Sequence, residues 1–194
     1  MKKLVKILFI TTCLSILFAA CNDSNERVIK GSYKKDKLES KEPLTIQGSL
    51  EVNELKVKKL TVQGSAKILG NRSNMVDGDL LVQGELEASN LTVNGKTKIQ
   101  GDANVDGNSH FKKSFIVKGV ATFTNTTVDG DVEVESKKIV LKNGVTINGF
   151  IKFINGSGMV SIEGNSIHLI NGIINGNYVK NGGSSGTGGN RLDF

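Results

Sequence analysis

A short phrase recurs along this 194-residue chain at quantised intervals: a β-branched residue, one polar residue, then glycine. It reads Ile46-Gln47-Gly48, Val62-Gln63-Gly64, Val76-Asp77-Gly78, Val82-Gln83-Gly84 and Val93-Asn94-Gly95. It continues as Ile99-Gln100-Gly101, Val105-Asp106-Gly107, Val117-Lys118-Gly119, Val128-Asp129-Gly130, Ile147-Asn148-Gly149 and Ile162-Glu163-Gly164. Gly78 to Gly84 is six residues, as are Gly95 to Gly101 and Gly101 to Gly107. Gly78 to Gly95 and Gly84 to Gly101 are each 17, and Gly101 to Gly119 is 18. Three short sides therefore close a unit of constant size, and a repeat of this kind decides the fold ahead of local propensity.

Within each unit apolar and polar residues alternate, as in Leu91-Thr92-Val93 and Thr97-Lys98-Ile99, so every second side chain faces one way. The pattern predicts an all-β fold, a single-stranded parallel β-helix (β-solenoid) of roughly seven coils, each stacked about 4.8 Å above the last. Equivalent Val and Ile residues then form interior ladders, and glycine is expected to supply left-handed dihedrals at the corners. The single proline in the chain agrees, because interior coils must donate backbone hydrogen bonds to their neighbours. An antiparallel sandwich is the alternative, but its turns would recur at variable offsets of about 8 to 12 residues. Gly107 to Gly130, 23 residues, reads as a slip in register. Lys137 to Gly144 reads as an enlarged corner, and Asn71-Arg72-Ser73-Asn74 as a small protruding loop.

The chain divides by composition into residues 1–20, 21–43, 44–178 and 179–194. Residues 1–20 carry a basic start (Lys2, Lys3, Lys6) and a short apolar run from Leu4 to Ala20, the form of a secretory signal peptide. Leu17-Phe18-Ala19-Ala20-Cys21 resembles the bacterial lipobox, in which the cysteine is lipidated and becomes the mature N-terminus; Phe18 stands where Leu is usual. The resemblance implies Cys21 as the lipidation site; an ordinary cleaved signal is the alternative. Cys13 would leave with the signal, so Cys21 would be the one mature cysteine and no intramolecular disulfide could form. Residues 21–43 are polar and charged and read as a flexible tether. Residues 179–194 read as a Gly/Ser-rich tail around Gly182-Gly183-Ser184-Ser185-Gly186-Thr187-Gly188-Gly189. A lipid-anchored envelope protein is therefore expected. Asn22 after the cysteine points to the outer membrane of a two-membrane cell, facing the periplasm or the surface.

Leu91 to Gly149, and more loosely Leu44 to Gly164, resembles the bactofilin family of polymer-forming bacterial cytoskeletal proteins. The resemblance rests on the Val/Ile-x-Gly phrases and on the pairs Gly78-Asp79, Gly101-Asp102 and Gly130-Asp131. It implies a compact β-helical core that self-associates end to end without nucleotide.

The search for chemistry is mostly negative. No HExxH or P-loop sequence occurs. His110 and His168 are the only histidines; His110 lies in a polar turn with no carboxylate nearby in sequence, and both read as surface residues. Asp77, Asp79, Asp129, Asp131, Glu133 and Glu135 form no calcium-binding repeat, and Asp131-Val132-Glu133-Val134-Glu135 reads as the solvent face of a strand. No catalytic residue, metal ligand, cofactor or enzymatic activity is expected. Without the signal's lysines, 22 basic residues face 19 acidic ones with few aromatics, which gives no basis for nucleic-acid binding. Two functional expectations follow. One is a membrane-anchored lipoprotein that self-associates through its coil ends as a scaffold of the cell envelope. The other is a monomeric binding module or adhesin for an envelope glycan or protein.

Overall fold

The structure is a computed structural model that describes residues 26–180, 185–187 and 191–194. The described residues contain strands and no helix, and they wind into a parallel β-solenoid of about nine turns. The signal peptide and Cys21 lie outside them.

Three faces run the length of the rod. The first stacks Ala66–Ile68, Leu86–Ser89, Ala103–Asp106, Ala121–Phe123, Lys138–Leu141, Gly158–Ile162 and Gly176–Lys180. The second stacks Asn74–Val76, Leu91–Val93, Ser109–Phe111, Thr126–Val128, Thr146–Ile147 and His168–Leu169. The third stacks Leu80–Val82, Thr97–Ile99, Phe115–Val117, Val132–Val134, Ile151–Phe153 and Ile173–Ile174. Two long strands, Tyr33–Ile46 and Leu50–Val62, pair in parallel along most of their length and serve all three faces. Most three-residue strands bury their first and last side chains and turn the middle one outward, which is the alternation read from the sequence.

The solenoid begins earlier than residue 44. Arg27–Ile29 pairs with Leu44–Ile46, and Tyr33–Ile46 pairs with Leu50–Val62, so residues 27–43 of the expected tether form the first coils instead. The segment looked unstructured because an end coil has few side chains to bury: of Tyr33 to Glu42 only Leu38 is buried. The expected seven coils become about nine for the same reason. The expected tail is corrected too, since Ser185–Thr187 and Leu192–Asp193 are strands that return onto the last coils.

Two irregularities resolve differently from the sequence reading. There is no slip between Gly107 and Gly130: Ala103 lies beside Ala121 and Phe115 beside Val132, offsets of 18 and 17. Lys113 occupies the corner where the neighbouring coil has Gly130. Lys138–Leu141 is a regular strand rather than part of an enlarged corner; the coils widen later, with Thr146 beside His168 at an offset of 22. At the Asn71 loop, Asn71, Arg72 and Ser73 are exposed, whereas Asn74 turns inward. Its amide accepts from the Leu55 N–H at 2.8 Å and donates to the Ser89 carbonyl at 3.0 Å.

The glycines mostly serve close approach rather than unusual dihedrals. Gly48, Gly64, Gly84, Gly101 and Gly119 stack at one corner, each N–H donating to the carbonyl of the glycine one coil back where both are in that series, as in Gly84 to Gly64 at 3.0 Å. A Cβ on Gly84 would sit 2.8 Å from the Gly64 carbonyl carbon, and one on Gly48 would sit 2.5 Å from that of Gly31. None of these five has a positive φ. Left-handed residues gather at the corner between the first and second faces, where Asn90 (φ 53°), Gly107 (66°) and Asn125 (45°) recur.

The interior is mostly apolar and built from ladders. The coil from Ser109 to Phe123 carries one buried ring on each face: Phe111 and Phe115 meet edge to face at 4.8 Å, and Phe115 and Phe123 at 5.0 Å. Small Ala103 and Ala121 lie on the first face beside them. Thr97 stands in the ladder between Leu80 and Phe115, fully buried, and its hydroxyl has no hydrogen-bond partner among the described residues. An unpaired buried hydroxyl is destabilising. Thr97→Val keeps the shape and removes that group, so it is expected to stabilise the fold by about 1 kcal/mol in urea unfolding; a loss of stability would contradict this placement.

Candidate functional site: the coil edges and the histidine face

Stacking brings together side chains about one coil apart in sequence. Aspartates that follow the corner glycines show what this does. Asp79 Oδ1 accepts the Lys96 N–H at 2.8 Å, Asp102 Oδ1 the Val120 N–H at 2.7 Å, and Asp131 Oδ1 the Phe150 N–H at 2.8 Å. Each carboxylate thus ties its corner to the next coil. These are the Gly-Asp pairs noted in the sequence, and their chemistry is structural.

Asp131 also pairs with the Lys152 ammonium. Burial pushes its carboxyl up, but the Lys152 hydrogen bond and charge and the Phe150 N–H outweigh this and hold it below the ordinary aspartate value. Val132 and Val134 point inward and Glu133 outward, as the alternation predicts. Glu135 lies 3.8 Å from the Lys118 ammonium.

The outward row of the second face places Thr92, His110, Thr127, Thr146 and His168 in register. His110 is not isolated: its Nε2 lies 2.7 Å from Asp129 Oδ2, whose other oxygen accepts from Asn148 Nδ2 at 3.0 Å. Beside it Asn108, Ser109, Asn125, Thr127 and Gly144 complete a shallow groove of about 390 Å³. The Ser109 hydroxyl is committed elsewhere, accepting the Leu91 N–H and donating to the Asp106 carbonyl at 2.6 Å. Asp129 was missed as a partner because it is 19 residues away, one coil on; the repeat itself was the signal that could have located it. Asp77 stands at the same corner, 3.5 Å from Asn94 Nδ2. Among the described residues no group of three or more His, Cys, Asp or Glu is placed to hold a metal ion.

The two ends of the rod differ. At the N-terminal end Arg27–Ile29 is the outermost strand of the third face and Tyr33–Ser40 that of the first and second, and among the described residues nothing pairs with the outer edge of either. That edge carries both signs of charge. Lys34 is paired with Glu51 at 2.6 Å, and Lys37 with Glu39 at 3.0 Å and Glu54 at 3.2 Å. These hydrogen-bonded pairs raise Lys37 and lower Glu54 from their ordinary values.

At the C-terminal end the chain returns on itself in the only antiparallel pairings among the described strands. Ser185–Thr187 lies along Asn177 to Val179 of the first face, and Leu192–Asp193 along His168 and Leu169 of the second. Phe194 and Ile167 exchange backbone hydrogen bonds at 2.9 and 3.2 Å, and the Phe194 ring meets Tyr178 at 4.9 Å. His168 Nδ1 lies 2.8 Å from Asp193 Oδ1, and Arg191 Nε donates to Asp193 Oδ2 at 3.1 Å. Those two bonds, His168 first, hold the Asp193 carboxyl below its usual range.

No family model, curated protein or solved structure matches this chain. Among the described residues no helix is long and apolar enough to cross a membrane.

The depressed Asp131 carboxyl has a consequence for acid stability. An aspartate lowered in the folded state contributes stability above its unfolded value, near pH 4, and loses it as pH falls through the folded value. Asp131→Asn is therefore expected to lower the urea midpoint at pH 7 and to flatten the decline of that midpoint below about pH 4. Parallel pH profiles for the two chains would contradict the role given to Asp131.

Proposed function

We propose that this chain is a lipoprotein, acylated at Cys21, whose bactofilin-like solenoid self-associates as a structural element of the bacterial cell envelope. The observation that carries the reading is the edge of Tyr33–Ser40, unpaired among the described residues, on a rod whose every internal coil is held by parallel backbone pairing. A row of unsatisfied N–H and C=O groups at a sheet edge is a template for another strand. The edge's mixed charges, with Lys35 and Asp36 beside Lys41 and Glu42, oppose indiscriminate pairing while permitting a complementary copy.

The lipobox resemblance supports the anchor. Glu26, the first described residue, follows Cys21 by only five positions, so an acylated Cys21 would hold the open end within about 20 Å of the bilayer. Copies concentrated on one membrane would meet at that end at high effective concentration. The polar groove beside His110 supports the second reading, a monomeric module or adhesin that binds an envelope glycan or protein.

Both parts are testable together. In bacteria fed an alkyne fatty acid, the full chain is expected to take up the label and Cys21→Ser to lose it. The chain from Asn22 onward, which keeps every described residue, is expected to show a sedimenting mass that rises with concentration. An unlabelled wild type would remove the anchor from the account. A strict monomer at all concentrations would favour the binding module.

A further inference from the structure

Among the described residues all three faces end in an unpaired outer edge at the N-terminal end, on Arg27–Ile29 and Tyr33–Ser40, whereas at the C-terminal end the returning chain covers two faces and leaves only Ile173–Ile174 of the third uncovered. On the first and second faces that edge is Tyr33–Ser40, with no partner among the described residues. Ser185–Thr187 and Leu192–Asp193 occupy the outer edges of those same faces on the last coils. Without the returning segment, the edges of Gly176–Lys180 and His168–Leu169 would offer the backbone that each earlier coil presents to its successor, and residues from Tyr33 onward would be shaped to continue it.

We propose that Ser185–Thr187 and residues 191–194 form a displaceable plug, which stops the solenoid from stacking at its C-terminal end onto the N-terminal coil of a second copy. The inference rests on the self-association reading above and adds the device that limits it.

Several features make the plug displaceable rather than a further coil. Its strands are three and two residues long and antiparallel, where every coil-to-coil pairing is parallel. Short antiparallel pairs are marginal alone. The side chains that hold it lie near the surface: His168 and Asp193 are each almost half exposed. Leu192 and Phe194 are only partly buried against the core. An incoming coil would instead supply a full parallel ladder, the geometry the end strands already have on their inner side. Opening such a segment requires far less than unfolding the rod. With the plug seated, two of the three faces at the C-terminal end are blocked and only the N-terminal end is open across all three, so association stops at pairs; with it displaced, both ends are open and growth continues.

Two variants of the chain from Asn22, which contains no cysteine, test the plug. The first ends at Lys180. The second carries His168→Cys and Asp193→Cys. These positions face each other beside the hydrogen-bonded pair Ile167–Phe194, so they form the close pair of an antiparallel ladder, within disulfide reach. Sedimentation velocity over a wide concentration range, with circular dichroism to confirm folding, is the readout. The shortened chain is expected to form a concentration-dependent series of long species. The oxidised double-cysteine chain is expected to stop at pairs, and reduction to return it to the behaviour of the intact chain.

If the shortened chain is folded and sediments like an intact chain that itself pairs, the plug is overturned while the scaffold reading stands. If intact and shortened chains are both monomers at every concentration, the scaffold reading falls and the plug with it. Should the shortened chain fail to fold, the oxidised chain decides. Species larger than pairs in that locked chain would overturn the plug; their absence, with their appearance on reduction, would support it.

Discussion

Every feature of this molecule depends on how closely one coil can approach the next. Coils about 4.8 Å apart share backbone hydrogen bonds, and at the corners the spacing holds only where no side chain intervenes. Gly48, Gly64, Gly84, Gly101 and Gly119 therefore stack in line, joined N–H to carbonyl, at positions where a Cβ would strike the coil beneath. Corner aspartates reinforce the same contact by reaching across to the next N–H, as Asp79, Asp102 and Asp131 do. Once the corners are fixed, alternation along each side decides which residues enter the core. The three rings of Phe111, Phe115 and Phe123 then fill a cross-section that Val, Leu and Ile fill elsewhere.

A stack of this kind has no natural end, because each coil offers its successor the same edge it took from its predecessor. What distinguishes the molecule is how its two ends are finished. One ends in Arg27–Ile29 and the charged strand Tyr33–Ser40, whose outer edges have no partner among the described residues. The other is closed over the first and second faces by the chain's own antiparallel return, held by Phe194 on Tyr178 and by the His168–Asp193–Arg191 set. The asymmetry, rather than any cluster of reactive groups, is the feature from which the proposed behaviour follows.

Much of the fold was legible in the spacing of glycines, because the coil length is nearly constant through the middle of the chain. Leu86 lies beside Ala103 and Thr97 beside Phe115, at offsets of 17 and 18. Legibility failed where coils depart from the core pattern. The first coil hid behind Lys34, Lys35, Asp36 and Lys37, whose charges belong to outward and edge positions; the clue was Gly31, 17 residues before Gly48. The last coils hid because their loops lengthen, and the returning strands are so short that a Gly/Ser-rich composition dominates them. Pairs such as His110 with Asp129 were invisible to local reading yet follow once the coil offset is applied to side chains as well as glycines.

The stacking itself is tested most directly by distances along one face. Glu51, Lys67, Glu87, Asn104, Thr122, Val140 and Ser161 occupy successive outward positions on the first face. Paired spin labels at Glu51 with Thr122, and at Glu51 with Ser161, in the chain from Asn22 should be measured by pulsed dipolar spectroscopy. Four and six coil steps predict backbone separations of about 19 and 29 Å, in proportion to coil count. Separations that fail to grow in that proportion would contradict a continuous solenoid, and with it the account of both ends.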